Sequence, residues 1–434
     1  LLILHDQSKQ LSERERRMLQ LFKLRWHEVK VVPQEIRSAF QRKRSETYAI
    51  WHTAKLNDNF SLLAPHLEQM FTLCREIAHC IAPDIPPYDV WLDKYEMGLC
   101  MERCDAFFST FRKRIIPLIE QVLYHEAPPR LSVGQGYSKA SQQKLCAYVM
   151  DVMGLDRRHC ILLEAEHPGT TNMGKYDLRI TTCYRSDNFT TAMLMTMHEG
   201  GHALYDLHTA DEDAFTYLGS YASMGLYEMQ SRFFENYLGR NDGFLRFLMP
   251  KLLELFPEQL TNLSAEQLYR SINRVEASAN RMEADELTYS VHIMIRYELE
   301  KMLFDGSLCV RDLPDAWRAL YERYLHIKIF SDREGVLQDP HWAYGSIGYF
   351  PSYALGNAYG AQMLHVMKQE LNFDHLISQG DLTPINRWLE KRLWQFGARF
   401  SPQETFERLC GAPFDPQFYS DYLEEKYSRL YSLG

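Results

Sequence analysis

Apolar residues recur at helical spacing, three or four positions apart, over most of this chain, with charged residues between them. The pattern runs from Leu11 to about Tyr124, broken by the Pro83–Pro87 cluster, and charged runs such as Glu13-Arg14-Glu15-Arg16-Arg17 read as solvated helix faces. Helices are predicted again over Tyr217–Gly239, Ser264–Asp305 and Leu313–Leu325, and from Leu382 onward. One stretch changes period: Asp177–Tyr184 (DLRITTCY) alternates and is rich in Ile and Thr, predicting a short strand. The clearest breaker, Ala127–Ser138 (APPRLSVGQGYS), marks a boundary. These signals predict a mainly α fold with a small sheet beside one helix. Residues 1–130 form an N-terminal helical region and 131–434 a catalytic region, expected to make one continuous domain.

The stretch Asn188–His208 follows the predicted strand. Met193, Met197, Gly201, Leu204 and His208 form one stripe, and Ser186, Asp187 and Asn188 offer N-caps. On this helix His198-Glu199-Gly200-Gly201-His202 puts two imidazoles one above the other, so both can reach one cation. Glu199 lies one step round the turn, placed to take a proton from water at that cation. Two glycines in mid-helix cost about 1 kcal/mol each against alanine; beside a metal they would let a substrate backbone approach closely.

Composition narrows the setting. With 434 residues, 46% of them hydrophobic, the chain can bury a large core. A net charge of −9 and no basic stripe argue against nucleic acid as a partner. No apolar run is long enough to span a bilayer, and Leu1–Leu4 is too short for a signal-peptide core. Nine cysteines without a CxxC pair point to reduced thiols and a cytoplasmic location, with Cys100 and Cys104 read as half-buried thiols. The chain starts without Met, in mid-pattern, so upstream residues are expected.

A catalytic zinc of this type takes two His, a carboxylate and a water. The following helix supplies two candidates, Glu228 and, further along, Glu235. Ser223 and Gly225 thin the helix near Glu228 and favour it, although an ion pair with Arg232 explains that residue equally well.

The sequence also resembles the carboxypeptidase Taq family of metallocarboxypeptidases. The resemblance rests on MHEGGHALYD at Met197–Asp206, DLRIT at Asp177–Thr181, EMQSRFFENYLGR at Glu228–Arg240 and RMEAD at Arg281–Asp285. It continues with GVLQDPHW at Gly335–Trp342 and GYFPSYALGN at Gly348–Asn357. It implies a helical peptidase with a deep, neurolysin-like cleft, commonly a homodimer, that uses one divalent metal per chain to cut single residues from peptide C-termini. His198, His202 and Glu228 would hold the metal, most readily zinc, with cobalt or manganese as alternatives, and Glu199 would be the general base. Asp177 would orient a ligating imidazole. Arg281, steadied by Asp285, would hold the terminal carboxylate, because a planar guanidinium grips a carboxylate bidentately. His341 would donate to the developing oxyanion, with Tyr353 or Tyr349 sharing that task. His167 and Gln338 lie in matched motifs without a derivable role. The chain departs from the family pattern at Tyr227 (usually His), Met229 (usually Ser), Gly169 (usually Phe) and Asn280 (usually Ile or Tyr).

Three functions compete: a carboxypeptidase releasing single residues, a dipeptidyl carboxypeptidase or oligopeptidase with the same zinc site, and a catalytically weak metal-bound peptide-binding protein.

Overall fold

A computed structural model describes residues 11–130, 136–166 and 168–433. His167, Leu1–Leu4 and part of the Ala127–Ser138 breaker lie outside the described residues. The chain divides into two compact units. One comprises the chain up to Tyr124 with Val275–Ala354; the other comprises His125–Arg274 with Leu355–Gly434.

The first unit is built from the long helices Glu13–Val31, Gln34–Leu56, Ala64–Ile81 and Met101–Tyr124, joined by Glu286–Asp305 and Leu313–Leu325. Their apolar stripes supply its core, as the spacing predicts. The proline cluster ends one helix at Ile81 and starts the next at Pro87, where a missing N–H costs nothing. The predicted Ser264–Asp305 helix is two helices, Ala265–Ile272 and Glu286–Asp305. The second begins afresh because Asp285 caps it, accepting from the backbone N–H groups of Leu287 and Thr288.

In the second unit three short strands form a sheet in the order β1 (Cys160–Glu164), β3 (Asp177–Thr182), β2 (Thr170–Gly174). β1 and β3 run parallel; β2 and β3 are antiparallel. The alternation read in Asp177–Tyr184 is observed: Leu178, Ile180 and Thr182 are buried, and Asp177 and Arg179 are exposed. The inner face packs on the motif helix, Thr190–His208, which is buried on nearly every side from Ala192 to Asp206. None of the proposed caps takes the N-cap position, which falls to Phe189; Asn188, one residue upstream, accepts from Thr190 N at 2.7 Å.

The helix predicted from Tyr217 starts at Met224, where Ser223 caps it. It continues past Arg232 into a widened π turn, Phe233–Leu238, closed by Gly239 N donating to Phe234 O.

Candidate active site

In the second unit the motif helix meets the helix Met224–Arg232 through a glycine. A Cβ on Gly201 would stand 2.6 Å from Gln230 O and 3.0 Å from Ser231 Cα, so only glycine lets these backbones come together. Gly200 faces the side chains of Met153 and Leu155. The glycine pair therefore serves packing, and the substrate approach read into it from sequence is corrected. Gly356, on the helix Phe350–Glu370, does the same against Glu228, whose Cβ lies 2.6 Å from where a side chain would start.

This close packing gathers three ligand atoms. One from each of His198, His202 and Glu228 lie within 4.8 Å of one another, the one such group among the described residues. His198 Nε2 stands 3.8 Å from Glu228 Oε2, and the two imidazoles are nearly perpendicular, 5.2 Å between centroids. Ligands about 2.0–2.1 Å from a tetrahedral zinc stand roughly 3.4 Å apart, so small side-chain adjustments suffice. Two imidazoles and one carboxylate, all buried, fit a catalytic zinc that keeps one position open.

Glu228 and Glu235 fall on one helix face, two turns apart, which is why the sequence preference for Glu228 over Glu235 rested only on its small neighbours Ser223 and Gly225 and on the family resemblance. The structure gives each a side of the same imidazole. Glu228 faces Nε2, while Glu235 Oε2 is 2.8 Å from Nδ1 and also accepts from Arg232 Nη1 at 2.9 Å. Burial works against the Glu235 charge, but Arg232 and then His198 outweigh it and hold the carboxyl down at about 2. Burial likewise disfavours a charged His198, and the hydrogen bond to Glu235 overcomes it, raising that imidazole. His202 has no such carboxylate; burial, then the neighbouring His198, push it well down. A partner for a ligating imidazole was expected at Asp177. That expectation is corrected: Asp177 lies on the exposed side of the sheet, paired with Arg179 at 3.0 Å, because β3 turns its odd-numbered residues outward.

Glu199 sits outside the ligand group, its Oε1 4.0 Å from His198 Nε2. Its Oε2 accepts from the Thr170 hydroxyl at 2.6 Å. Burial raises the Glu199 carboxyl against the pull of His198, which suits a proton acceptor near neutral pH. Thr170 escaped the sequence reading; β2 carries too few apolar residues to announce itself as a strand, so nothing placed that hydroxyl on an inner face.

The remaining candidates lie in the first unit. Arg281 occupies a short turn before the helix, not an i,i+4 position with Asp285 on one helix. Asp285 accepts from Leu287 N, Thr288 N, Thr288 Oγ1 and Glu276 N, so it fixes the start of the helix. The charge partner of Arg281 is Asp339, at 2.8 Å, and that same carboxylate takes Arg296 at 2.6 Å. Burial opposes the Asp339 charge, but the two guanidinium groups hold its pKa far below the carboxylate range. Gln338 gains a structural task, its Oε1 accepting from Arg281 N and Arg296 Nη2. Beside this cluster His341 Nε2 and Tyr353 Oη are 3.2 Å apart, and Tyr349 stacks on His341. Burial pushes His341 down to about 3, leaving a neutral imidazole. The loop is tied down by Glu300, which accepts from Trp342 Nε1 at 2.7 Å, Gly348 N at 3.0 Å and Tyr88 Oη at 2.7 Å.

Known proteins resemble this chain over nearly its whole length. A family model described as carboxypeptidase Taq (M32) metallopeptidase matches residues 2–427. The chain is 37% identical to carboxypeptidase 1 of Bacillus subtilis, over 99% of this chain and 86% of that one. It is 32% identical to thermostable carboxypeptidase 1 of Pyrococcus furiosus, over 98% and 88%. Among solved structures, an M32 carboxypeptidase from Deinococcus radiodurans superposes with a TM-score of 0.95 at 32% identity, covering 98% of this chain and 86% of the other. With histidines and acid converging as such a hydrolase requires, and likeness running through nearly all its length, the chain belongs to the carboxypeptidase Taq family of metallocarboxypeptidases, hydrolases of the peptide bond.

Proposed function

We propose that the protein releases single amino acids from peptide C-termini, with one divalent ion held by His198, His202 and Glu228. The observation that carries this reading is the convergence of those ligand atoms beside a buried Glu199. Zinc suits the donor set, with cobalt or manganese as alternatives. A cation bound there supplies Lewis acidity, polarising the scissile carbonyl and acidifying a neighbouring water. Glu199 holds the proton taken from that water and passes it to the leaving amine. The Thr170 hydroxyl pins Glu199 Oε2 and so orients the carboxylate.

Arg281 is proposed to hold the substrate's terminal carboxylate. Two guanidinium groups share the one carboxylate of Asp339, so this cluster carries a positive charge in excess, which favours an anionic end group. Asp285 steadies Arg281 through the chain it anchors at the start of the next helix. His341, neutral, and Tyr353 supply donors to the developing oxyanion, with Tyr349 packed beside them. All nine cysteines are free, which supports a reducing, cytoplasmic setting. Among the described residues no helix is long and apolar enough to cross a membrane. The homodimer is proposed from the family likeness.

Mass analysis of digests tests the reading. Peptides with a free C-terminus should lose one residue at a time, and their amidated counterparts should be cut far more slowly. Release of dipeptides would favour a dipeptidyl carboxypeptidase, equal rates on both peptides an endopeptidase, and stoichiometric metal without cleavage a peptide-binding protein.

A further inference from the structure

The two metal-ligating histidines are held in different ways. His198 has the usual arrangement, in which the nitrogen away from the metal meets a carboxylate, here Glu235 at 2.8 Å. His202 has no carboxylate partner: its buried Nδ1 lacks a well-aligned hydrogen bond, and the Tyr227 backbone is the hydrogen-bonding group that acts on the ring. What lies against His202 is the ring of Tyr227, stacked at 4.0 Å between centroids with planes 27° apart. Tyr221 stacks on Tyr227 in turn, at 4.2 Å and 23°. Two rings at such distances must occupy opposite faces of Tyr227, so this side chain is clamped between them. Its hydroxyl is tethered as well, donating to Asp206 Oδ2 at 3.1 Å. Asp206 stands one turn beyond His202 on the same helix, and Asn172 of β2 donates to the same oxygen at 3.1 Å. The Tyr227 ring is thus fixed at both ends along the helix face that carries His202.

We infer that Tyr227 is a positioning residue for the metal site. By stacking on His202 it sets the angle of an imidazole that no carboxylate orients, and Asp206 holds Tyr227 in register through its hydroxyl. This rests on the reading of His198, His202 and Glu228 as the metal ligands. It also assigns work to a position where the chain departs from its family's pattern. A histidine in its place has a smaller ring and no phenol.

The test is zinc affinity by competition with a chromophoric chelator, together with the visible spectrum of the cobalt-substituted protein, for wild type, Tyr227→Phe, Tyr227→Leu and Asp206→Ala. Tyr227→Leu removes the stack and should weaken zinc binding roughly 10- to 100-fold, the range for losing an outer partner of a ligand, and alter the cobalt bands. Tyr227→Phe and Asp206→Ala keep the stack without the tether and should each weaken binding by a smaller factor. Adding Asp206→Ala to Tyr227→Phe should then change little, a coupling that loss of packing alone would not produce. Wild-type affinity and spectrum in Tyr227→Leu would overturn the inference, as would independent effects of the two tether variants. Should Tyr227→Leu fail to fold, the tether pair still decides. Failure of the wild-type protein to bind zinc would instead remove the metal reading, and this inference with it.

Discussion

At the scale of single residues, three side chains around His198 divide the labour by which atom they face. Glu228 meets Nε2 and Glu235 meets Nδ1, so one imidazole is gripped from both sides while Glu199 stands beside it without joining the ligand group. On the proposed mechanism this separates binding from proton transfer and makes the two independently removable. Glu199→Gln should retain one equivalent of zinc and lose turnover by at least about 10²-fold, as expected for a general base; metal analysis and peptide assay on one sample check both. Glu235→Gln keeps an acceptor but loses the charge that steadies His198. Its zinc affinity should fall by roughly 10- to 100-fold, read by chelator competition, while the zinc-saturated enzyme keeps most of its turnover. The His198/His202 spacing was legible because helical periodicity fixes which side chains share a face. The preference for Glu228 over Glu235 was only weakly legible, since both share one face and only the packed helices show which nitrogen each reaches. Asp339 escaped for a related reason: its link to Arg281 spans 58 residues, and no local pattern reports such a contact.

At the scale of elements, the approach of the motif helix to the Glu228 helix depends on glycines with different neighbours. Gly201 lies against backbone, which cannot yield, whereas Gly200 faces the mobile thioether end of Met153. Gly201→Ala should therefore cost about 1–3 kcal/mol and move the Glu228 helix away. Gly200→Ala should cost less, because the end of the Met153 side chain can shift where backbone cannot, while both variants share the helix-propensity gain of about 1 kcal/mol. Thermal unfolding of the two variants should rank them in that order; equal loss would contradict the packing argument. Helix existence was plain from the sequence, since long amphipathic stripes need no tertiary context. Helix ends were less so. Asp285 starts a new helix inside a continuous apolar pattern, and β2 offers no pattern at all.

At the scale of the whole molecule, stability should carry the mark of a buried acid. Glu300 accepts three hydrogen bonds in the first unit, yet its burial outweighs them and pushes its carboxyl up to about 7. The folded state therefore holds a proton that the unfolded chain gives up near its ordinary value of 4.5. The stabilisation is fully present below that value and is lost as pH rises through about 7. Glu300→Gln, which cannot ionise, should gain stability relative to wild type between pH 5 and pH 8, measured by denaturant unfolding at each pH. A constant difference would show that Glu300 does not titrate in that window.

Catalysis here turns on one cation and its ligands, and an anomalous-scattering map collected at the zinc edge from crystals of the zinc-loaded protein would locate both. A single peak is expected within about 2.0–2.2 Å of His198 Nε2, a His202 ring nitrogen and a Glu228 oxygen, with Glu199 beyond bonding distance. A peak bound by Glu235 in place of Glu228, or no peak between the two helices, would contradict this ligand set.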